Sequence, residues 1–459
     1  MTTVEIVSGG TLVGEHGTLR ADVLIHDGVI AGLVQDSSGL GGERLDATGR
    51  YVFPGGVDIH THLREPSKIE REDFAHGTAS AVAGGITTVV EMPQADPLVV
   101  DLESLYTKRA LAENGSIADF GLYAAAVGQS RAELAALQAE GVLAFKAFMS
   151  DSSPGYPRLD DAMLLDCLEA MHDLNAMLIV HAENNDLLQA GLARMAAAGR
   201  GDPLAHAESR PPVVEIEAIR VAVHLAVHAR ARLHVAHVST PTGARIVADA
   251  RAAGAEITCE TCPQYLLLDL EDLERLGPYA RCAPAIRSRD EVDELWPFAL
   301  DGTIAAVASD HSPYRPEEKD AGAEDIFKAA LGLNVIQVML PAVLDEGRNR
   351  RGLSLRRFAE LSASGPAQVV GLYPTKGSIR VGADADLVVW DLDREWEVSR
   401  AQLFSRHPWT PLEGRRIRGK VEATIRRGEL VYSDGVVNGE PGSGRFLTSA
   451  HPTARPAQA

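Results

Sequence analysis

From Val57 onward, short runs rich in apolar and β-branched residues alternate with longer Ala/Leu/Glu-rich stretches. Eight such runs occur: "VDIHTH" (57–62), "ITTVVEMP" (86–93), "DFGLYAAAV" (119–127), "LAFKAFM" (143–149), "MLIVHAE" (177–183), "RLHVAHVS" (232–239), "EITCETCP" (256–263) and "IAAVASDH" (304–311). Segments such as "SRAELAALQAEG" and "VVEIEAIRVAVHLAVHAR" lie between them and read as helices. Eight alternating strand–helix units over about 250 residues predict an α/β chain folded as a (β/α)8 TIM barrel.

The flanks carry a different pattern. Residues 3–53 are short strands punctuated by Gly, Asp and His-Gly turns, as in "VEIVSGGTLV" and "ADVLIHDGVIAGLVQD". After about residue 375 the chain returns to this pattern, with "GSIRVGADADLVVWDLDREWEVS" and "GKVEATIRRGELVYSDGVV". The expected organisation is a composite β-sandwich from 1–53 plus 375–440, a barrel over 54–374, and a flexible Gly/Pro/Ser/Ala-rich tail over 441–459.

Composition adds exclusions. The formal net charge is −20, which argues against a nucleic-acid or anionic-membrane surface. The N-terminus lacks a basic stretch followed by an apolar core, and no apolar run is long enough to span a bilayer. Four cysteines are too few for a disulfide framework in 459 residues. These features point to a cytoplasmic protein. The Cys259–Cys262 pair lacks the second pair that a structural zinc site requires, so it reads as ordinary strand cysteines.

Polar residues then sharpen the picture. Side chains alternate along a strand, so Asp58, His60 and His62 share a face of the first run. TIM-barrel active sites lie at the strand C-terminal ends. His60, His62, His181, His237 and Asp310 all fall at such ends, and Lys146 sits in the fourth run. Imidazole and carboxylate suit zinc, with room left for water. One strand-end histidine alone is an ordinary packing residue; convergence from four strands is much harder to explain by packing. His234 is three residues from His237 and reads as structural on the opposite face, and His172, His224 and His228 fall on helices. A bare Lys146 ammonium beside metal ions is opposed by desolvation and by like charge. It could be neutral, point away, or have become a carbamate, and the residues alone leave all three open.

Taken in order, "GGVDIHTHLREP", "GGITTVVEMP", "AFKAFM", "VHAE", "HVAHVST", "ETCPQYL", "APAIRS" and "ASDHSP" resemble the cyclic amidohydrolases: hydantoinase, allantoinase, dihydropyrimidinase and dihydroorotase. The resemblance runs from about residue 3 to 435 and implies a barrel with a flanking β-sandwich and two zinc ions. It implies that His60, His62 and Asp310 hold one metal, that His181 and His237 hold the other, and that carboxylated Lys146 bridges them. It further implies a bridging hydroxide that attacks a cyclic amide, with Asp310 moving the proton from hydroxide to the leaving nitrogen. No organic cofactor is expected, and a homotetramer or homodimer is.

Within the family the motifs divide. Arg64 in "HLREP" matches the dihydroorotase arginine that grips a substrate carboxylate; the alternative is a loop arginine pairing with Glu65 or Asp73. Gln94 in "MPQAD" and Tyr314 in "DHSPY" depart from dihydroorotase. "SDHSPYRPEEK" and Gln337 look like allantoinase, while "GGITTVVEMP", "ERLGPYARCAPAIRS" and the 372–393 segment look like hydantoinases, including L-selective ones. Loop 150–161 should shape the pocket, offering Ser150, Ser152 and Tyr156. The expectation is a zinc-dependent ring-opening hydrolase of a cyclic ureide, hydantoinase- or allantoinase-like. Dihydroorotase is the alternative, and a non-catalytic scaffold homologue the remote one.

Overall fold

The computed structural model describes residues 2–153 and 155–449. The eight expected runs form eight parallel barrel strands, β1 (Gly56–Thr61), β2 (Ile86–Glu91), β3 (Asp119–Leu122), β4 (Phe145–Phe148), β5 (Met177–His181), β6 (Arg232–Val235), β7 (Ile257–Thr261) and β8 (Ile304–Val307). Strands β1 to β3 pair in order, and a continuation of β3, Ala124–Ala125, pairs with β4 and so with the run from β5 to β8. The ring closes where Thr61 bridges His311 and the His62 amide donates to the His311 carbonyl at 2.9 Å.

Both faces of a barrel strand are covered, so the strands read as nearly continuous apolar runs. On β5, Leu178 and Val180 join the helix residues Leu168, Ile219 and Ala222 in the main core, while Ile179 belongs to a separate cluster with Val57, Ile59 and Tyr123. Helix starts are set by short polar caps. Asp73 accepts the His76 amide ahead of Phe74–Ala83, and Asp101 and Ser104 form a reciprocal capping box ahead of Leu102–Gly115.

The flanks combine as expected. Strands Thr11–Gly14, Gly17–Arg20 and Tyr51–Pro54 share an eight-stranded sheet with Leu387–Glu397, Arg416–Arg426 and Glu429–Ser433. Val388 pairs with Phe53, so the two ends of the chain are stitched by antiparallel backbone bonds. Four more N-terminal strands make a second sheet.

Barrel and sandwich are also joined by buried charge. Lys376 Nζ reaches Asp119 of β3 at 2.5 Å, Asp384 at 2.8 Å and Asp386 at 2.9 Å, and Arg427 pairs with Asp119. Of the segment expected to be loosely ordered, residues 441–449 lie against β3: Phe120 donates to the Arg445 carbonyl and Leu447 donates back to Phe120. Phe446 packs on Phe120 with Arg109 over its ring, and Leu447 packs against the Val57–Ile59–Tyr123 cluster, so two apolar side chains anchor a Gly- and Ser-rich segment. Residues 450–459 lie outside the described residues. Among the described residues no helix is long and apolar enough to cross a membrane, and all four cysteines are free thiols.

Candidate metal centre

The six predicted ligand positions meet at one mouth of the barrel. His60, His62, His181 and His237 are each no more than 6 % exposed, and Lys146 is fully buried. His62 Nε2 lies 3.1 Å and His60 Nε2 3.4 Å from Asp310 Oδ1. Ligand atoms of these three residues fall within 4.8 Å of one another, close enough to share one ion. Opposite them, His181 Nδ1 and His237 Nε2 converge to 2.9 Å. The His60 and His237 rings are 5.3 Å apart, so the two groups face each other.

The backbone takes unusual shapes to make this possible. His237 (φ +39°), Asp310 (φ +47°) and Arg64 (φ +70°) all occupy the left-handed region. Non-glycine residues held there cost of order 1–3 kcal/mol each, and such strain clusters at functional sites.

The donor set fits a cation. Among the described residues His62 Nδ1, His237 Nδ1 and Lys146 Nζ are buried without hydrogen-bond partners, whereas buried polar atoms nearly always have one. Burial lowers the His62 imidazolium to about 3 despite the opposing Asp310 carboxylate, and lowers His181 and His237 too. These imidazoles are neutral at physiological pH, the form that ligates metal. Asp310 stays ionised: burial raises it, but His60 and His62 more than offset that. Burial brings Lys146 down to about 8, with Glu260 and Asp310 opposing.

Behind the mouth stands a layer that the sequence reading missed. Glu183 accepts from His181 Nε2 at 2.8 Å and is paired with Arg210. Glu260 of β7 contacts His60 Nδ1 and His234 Nε2. His234 is therefore turned toward the site rather than away from it. Strand β6 ends at Val235 and His237 has positive φ, so the two-residue alternation does not carry from one histidine to the other. Glu183 stood in the quoted "VHAE" and Glu260 in "EITCETCP", but a buried carboxylate on a strand or just past its end leaves no local pattern that names its partner.

A cavity of about 770 Å³ opens above these residues. Arg64, Gln94, Ser152 and Tyr314 line it, together with Lys68, Arg71, Arg281 and Ser312. Arg64 bonds Ser312 Oγ and stacks 4.7 Å over Tyr314, whose ring also carries Arg71 at 4.6 Å. It does not pair with Glu65 or Asp73: Glu65 takes the Phe74 amide, and Asp73 is occupied by His76 and Arg406.

Three expected contacts lie elsewhere. Ser150 is fully buried and bonds Ser152. Tyr156 is buried against Phe148, with its hydroxyl donating to the Lys146 carbonyl, so it supports β4 from below. Gln337 spends its amide on the Gln402 carbonyl and the Phe404 amide, at the junction with the sandwich. A helix that packs across a domain junction cannot also present that side chain to the mouth.

A (β/α)8 barrel with a composite sandwich, and a His-His-Asp cluster at its strand C-terminal ends, defines a metal-dependent hydrolase. The sequence profile of the Amidohydrolase family matches residues 51–431, and the chain belongs to that family. It is 42 % identical over 444 residues to the allantoinase of Rubrobacter xylanophilus, covering 96 % of this chain and 97 % of that one. It is 36 % identical over 446 residues to the L-hydantoinase of Paenarthrobacter aurescens, covering 96 % and 97 %. The solved L-hydantoinase from Arthrobacter aurescens superposes with a TM-score of 0.95 over 97 % of this chain and 100 % of that one, at 36 % identity. The protein is a cyclic amidohydrolase of the allantoinase or hydantoinase kind.

Proposed function

We propose that the chain opens the ring of a neutral cyclic ureide, allantoin first, at a two-zinc centre. The observation that carries this reading is Lys146. Its amine is fully buried beside five metal-type donors and, among the described residues, has no hydrogen-bond partner, an arrangement that burial makes unfavourable for an ammonium. Reaction of the neutral amine with carbon dioxide forms an N–C bond and releases one proton, leaving an anion with two oxygens. Such a carboxylated lysine fits between two sites, with His60, His62 and Asp310 holding one metal and His181 and His237 the other.

Two zinc ions held there supply Lewis acidity and lower the pKa of water toward neutrality. The remaining steps belong to the protein. Asp310 takes the proton of the attacking water and returns it to the leaving ring nitrogen, acting as base and then acid. Arg64 and Gln94 line the cavity with donors suited to ureide carbonyls, and Phe148 and Leu98 provide apolar wall. Arg64, Gln94, Ser152 and Ser312 give this mouth hydrogen-bonding groups for the ureido substituent of allantoin. The relative at 42 % identity carries the allantoinase name. We read the enzyme as cytoplasmic and as a homotetramer or homodimer, which light scattering would test.

The test is ring opening on a panel of allantoin, 5-substituted hydantoins of each hand, dihydrouracil and dihydroorotate, with zinc and bicarbonate supplied. Fast turnover of allantoin, lost in Lys146→Ala, supports the reading. Preference for dihydroorotate would instead make Arg64, which has no acidic partner among the described residues, the anchor of a substrate carboxylate.

A further inference from the structure

Glu260 projects from β7 into the barrel and is 1 % exposed. Its Oε1 contacts His60 Nδ1, and the His237 backbone amide donates to the same oxygen at 3.4 Å. Its Oε2 lies 3.2 Å from His234 Nε2. His234 is fully buried, and its Nδ1 lies 2.7 Å from Thr258 Oγ1. Thr258 in turn lines a second cavity of about 730 Å³, among residues from the N-terminal ends of β5 to β7. A continuous chain of four side chains therefore crosses the barrel from the metal centre to the opposite face.

The protons in this chain can be assigned. The two Glu260 oxygens face a ring nitrogen of His60, a ring nitrogen of His234 and the His237 backbone amide, the surroundings of an acceptor. An ionised carboxylate only accepts, so His60 must donate from Nδ1 and His234 from Nε2. In a neutral His234 imidazole Nδ1 is then the acceptor, and the Thr258 hydroxyl supplies its proton. No group in the chain is left with two donors or two lone pairs facing each other. The remaining His60 nitrogen, Nε2, faces His62 and Asp310, where a metal would take its lone pair. His62 differs, because its Nδ1 has no partner to set its tautomer.

We propose that Glu260 is the positioning residue of the metal centre, fixing the His60 tautomer and ring orientation through the His60–Glu260–His234–Thr258 chain. This rests on the reading of His60 as a ligand. A carboxylate bonded to the outer nitrogen of a ligating histidine pre-aims the ring and strengthens it as a donor; losing such a partner typically weakens metal binding 10- to 100-fold. Glu260→Gln keeps the volume and one acceptor but removes the charge, and its amide group meets His234 Nε2 with the wrong polarity. His234→Gln leaves the carboxylate in place but exchanges the rigid ring donor, with its link to Thr258, for a flexible amide.

The experiment measures zinc dissociation constants of the metal-free full-length proteins by chelator competition in bicarbonate, with thermal midpoints of the same metal-free samples and visible spectra of the cobalt-loaded forms. The expected result is about 10- to 100-fold weaker zinc binding in Glu260→Gln, with a shifted cobalt spectrum and a largely unchanged metal-free midpoint. His234→Gln should weaken zinc by a smaller factor in the same direction, and it decides the matter if Glu260→Gln does not fold. Zinc affinity within twofold of wild type in a folded Glu260→Gln overturns the proposal while leaving the metal centre intact. If the first variant is unfolded, unchanged affinity in His234→Gln overturns it likewise. A wild-type protein that takes up no zinc overturns the metal centre itself, and this inference with it.

Discussion

Lys146 should cost the metal-free protein stability, and the cost can be worked out. Its amine is fully buried, has no hydrogen-bond partner, and lies 5.3 Å above the Phe148 ring. Burial lowers it from 10.5 to about 8, against the opposing pull of Glu260 and Asp310. The unfolded chain then binds this proton more tightly than the folded one. The penalty is full below the folded value and fades as pH rises from about 8 to 10.5. A shift of about 2.5 units corresponds to about 3 kcal/mol near pH 7, at 1.36 kcal/mol per unit. Lys146→Met removes the cation and keeps an unbranched apolar stem of similar length.

Metal-free, carbon-dioxide-free Lys146→Met should therefore be up to about 3 kcal/mol more stable than wild type at pH 7. An unfolding entropy of about 1 kcal/mol per kelvin for a chain this size makes that a rise of about 3 °C in midpoint. Scanning calorimetry in chelator at pH 7 and again near pH 10.5 reads the effect, which should disappear at the higher pH. Adding zinc and bicarbonate should reverse the order, because only wild type gains the bridging ligand. A metal-free Lys146→Met that melts below wild type at pH 7, or a gain that ignores pH, would refute the view of Lys146 as a residue tolerated for its chemistry alone.

Asp310→Asn should keep the shape of the mouth yet lower kcat by about 10²- to 10⁴-fold, the usual worth of a positioned acid–base group, as measured in ring-opening assays at saturating zinc. Burial pushes the Glu72 carboxyl up to about 7, so folding favours its protonated form, and stability is lost as pH rises from the unfolded value through 7. Glu72→Gln should accordingly change little near pH 4.5 and stabilise by up to about 3 kcal/mol above pH 8, read from urea midpoints at both values. At Gly191 an added Cβ would sit 2.1 Å from the Ser209 carbonyl oxygen, a backbone atom with little freedom to retreat. Gly191→Ala should cost about 1–3 kcal/mol by urea unfolding and, by displacing the segment that delivers Arg210 to Glu183, should also raise KM.

Much of this protein is legible from local pattern. Strand–helix alternation and the return to short strands at both ends identify the barrel and its composite sandwich, because burial on two faces and on one face leaves different periods in the sequence. His60, His62, His181, His237 and Asp310 could be picked out because a strand end is a local property and because TIM barrels place chemistry at one rim. Gln94, Ser152 and Tyr314 reached the cavity from loops next to those ends. Ser150, Tyr156 and Gln337 did not, since loop and helix side chains turn toward whatever neighbour satisfies them, and those neighbours come from remote segments.

What only the tertiary structure decided are the pairings across the fold. Glu260 meets His60 from 200 positions away, and Arg427 meets Asp119 from 308. His234 serves the site because the chain leaves regular strand geometry before His237. The sequence by itself determined which chemistries this chain can hold and along which strands they lie. Which nitrogen each histidine turns inward, and which buried charges answer one another, depends on closing the ring of strands, because hydrogen bonds act over a few ångströms of space and not along the chain.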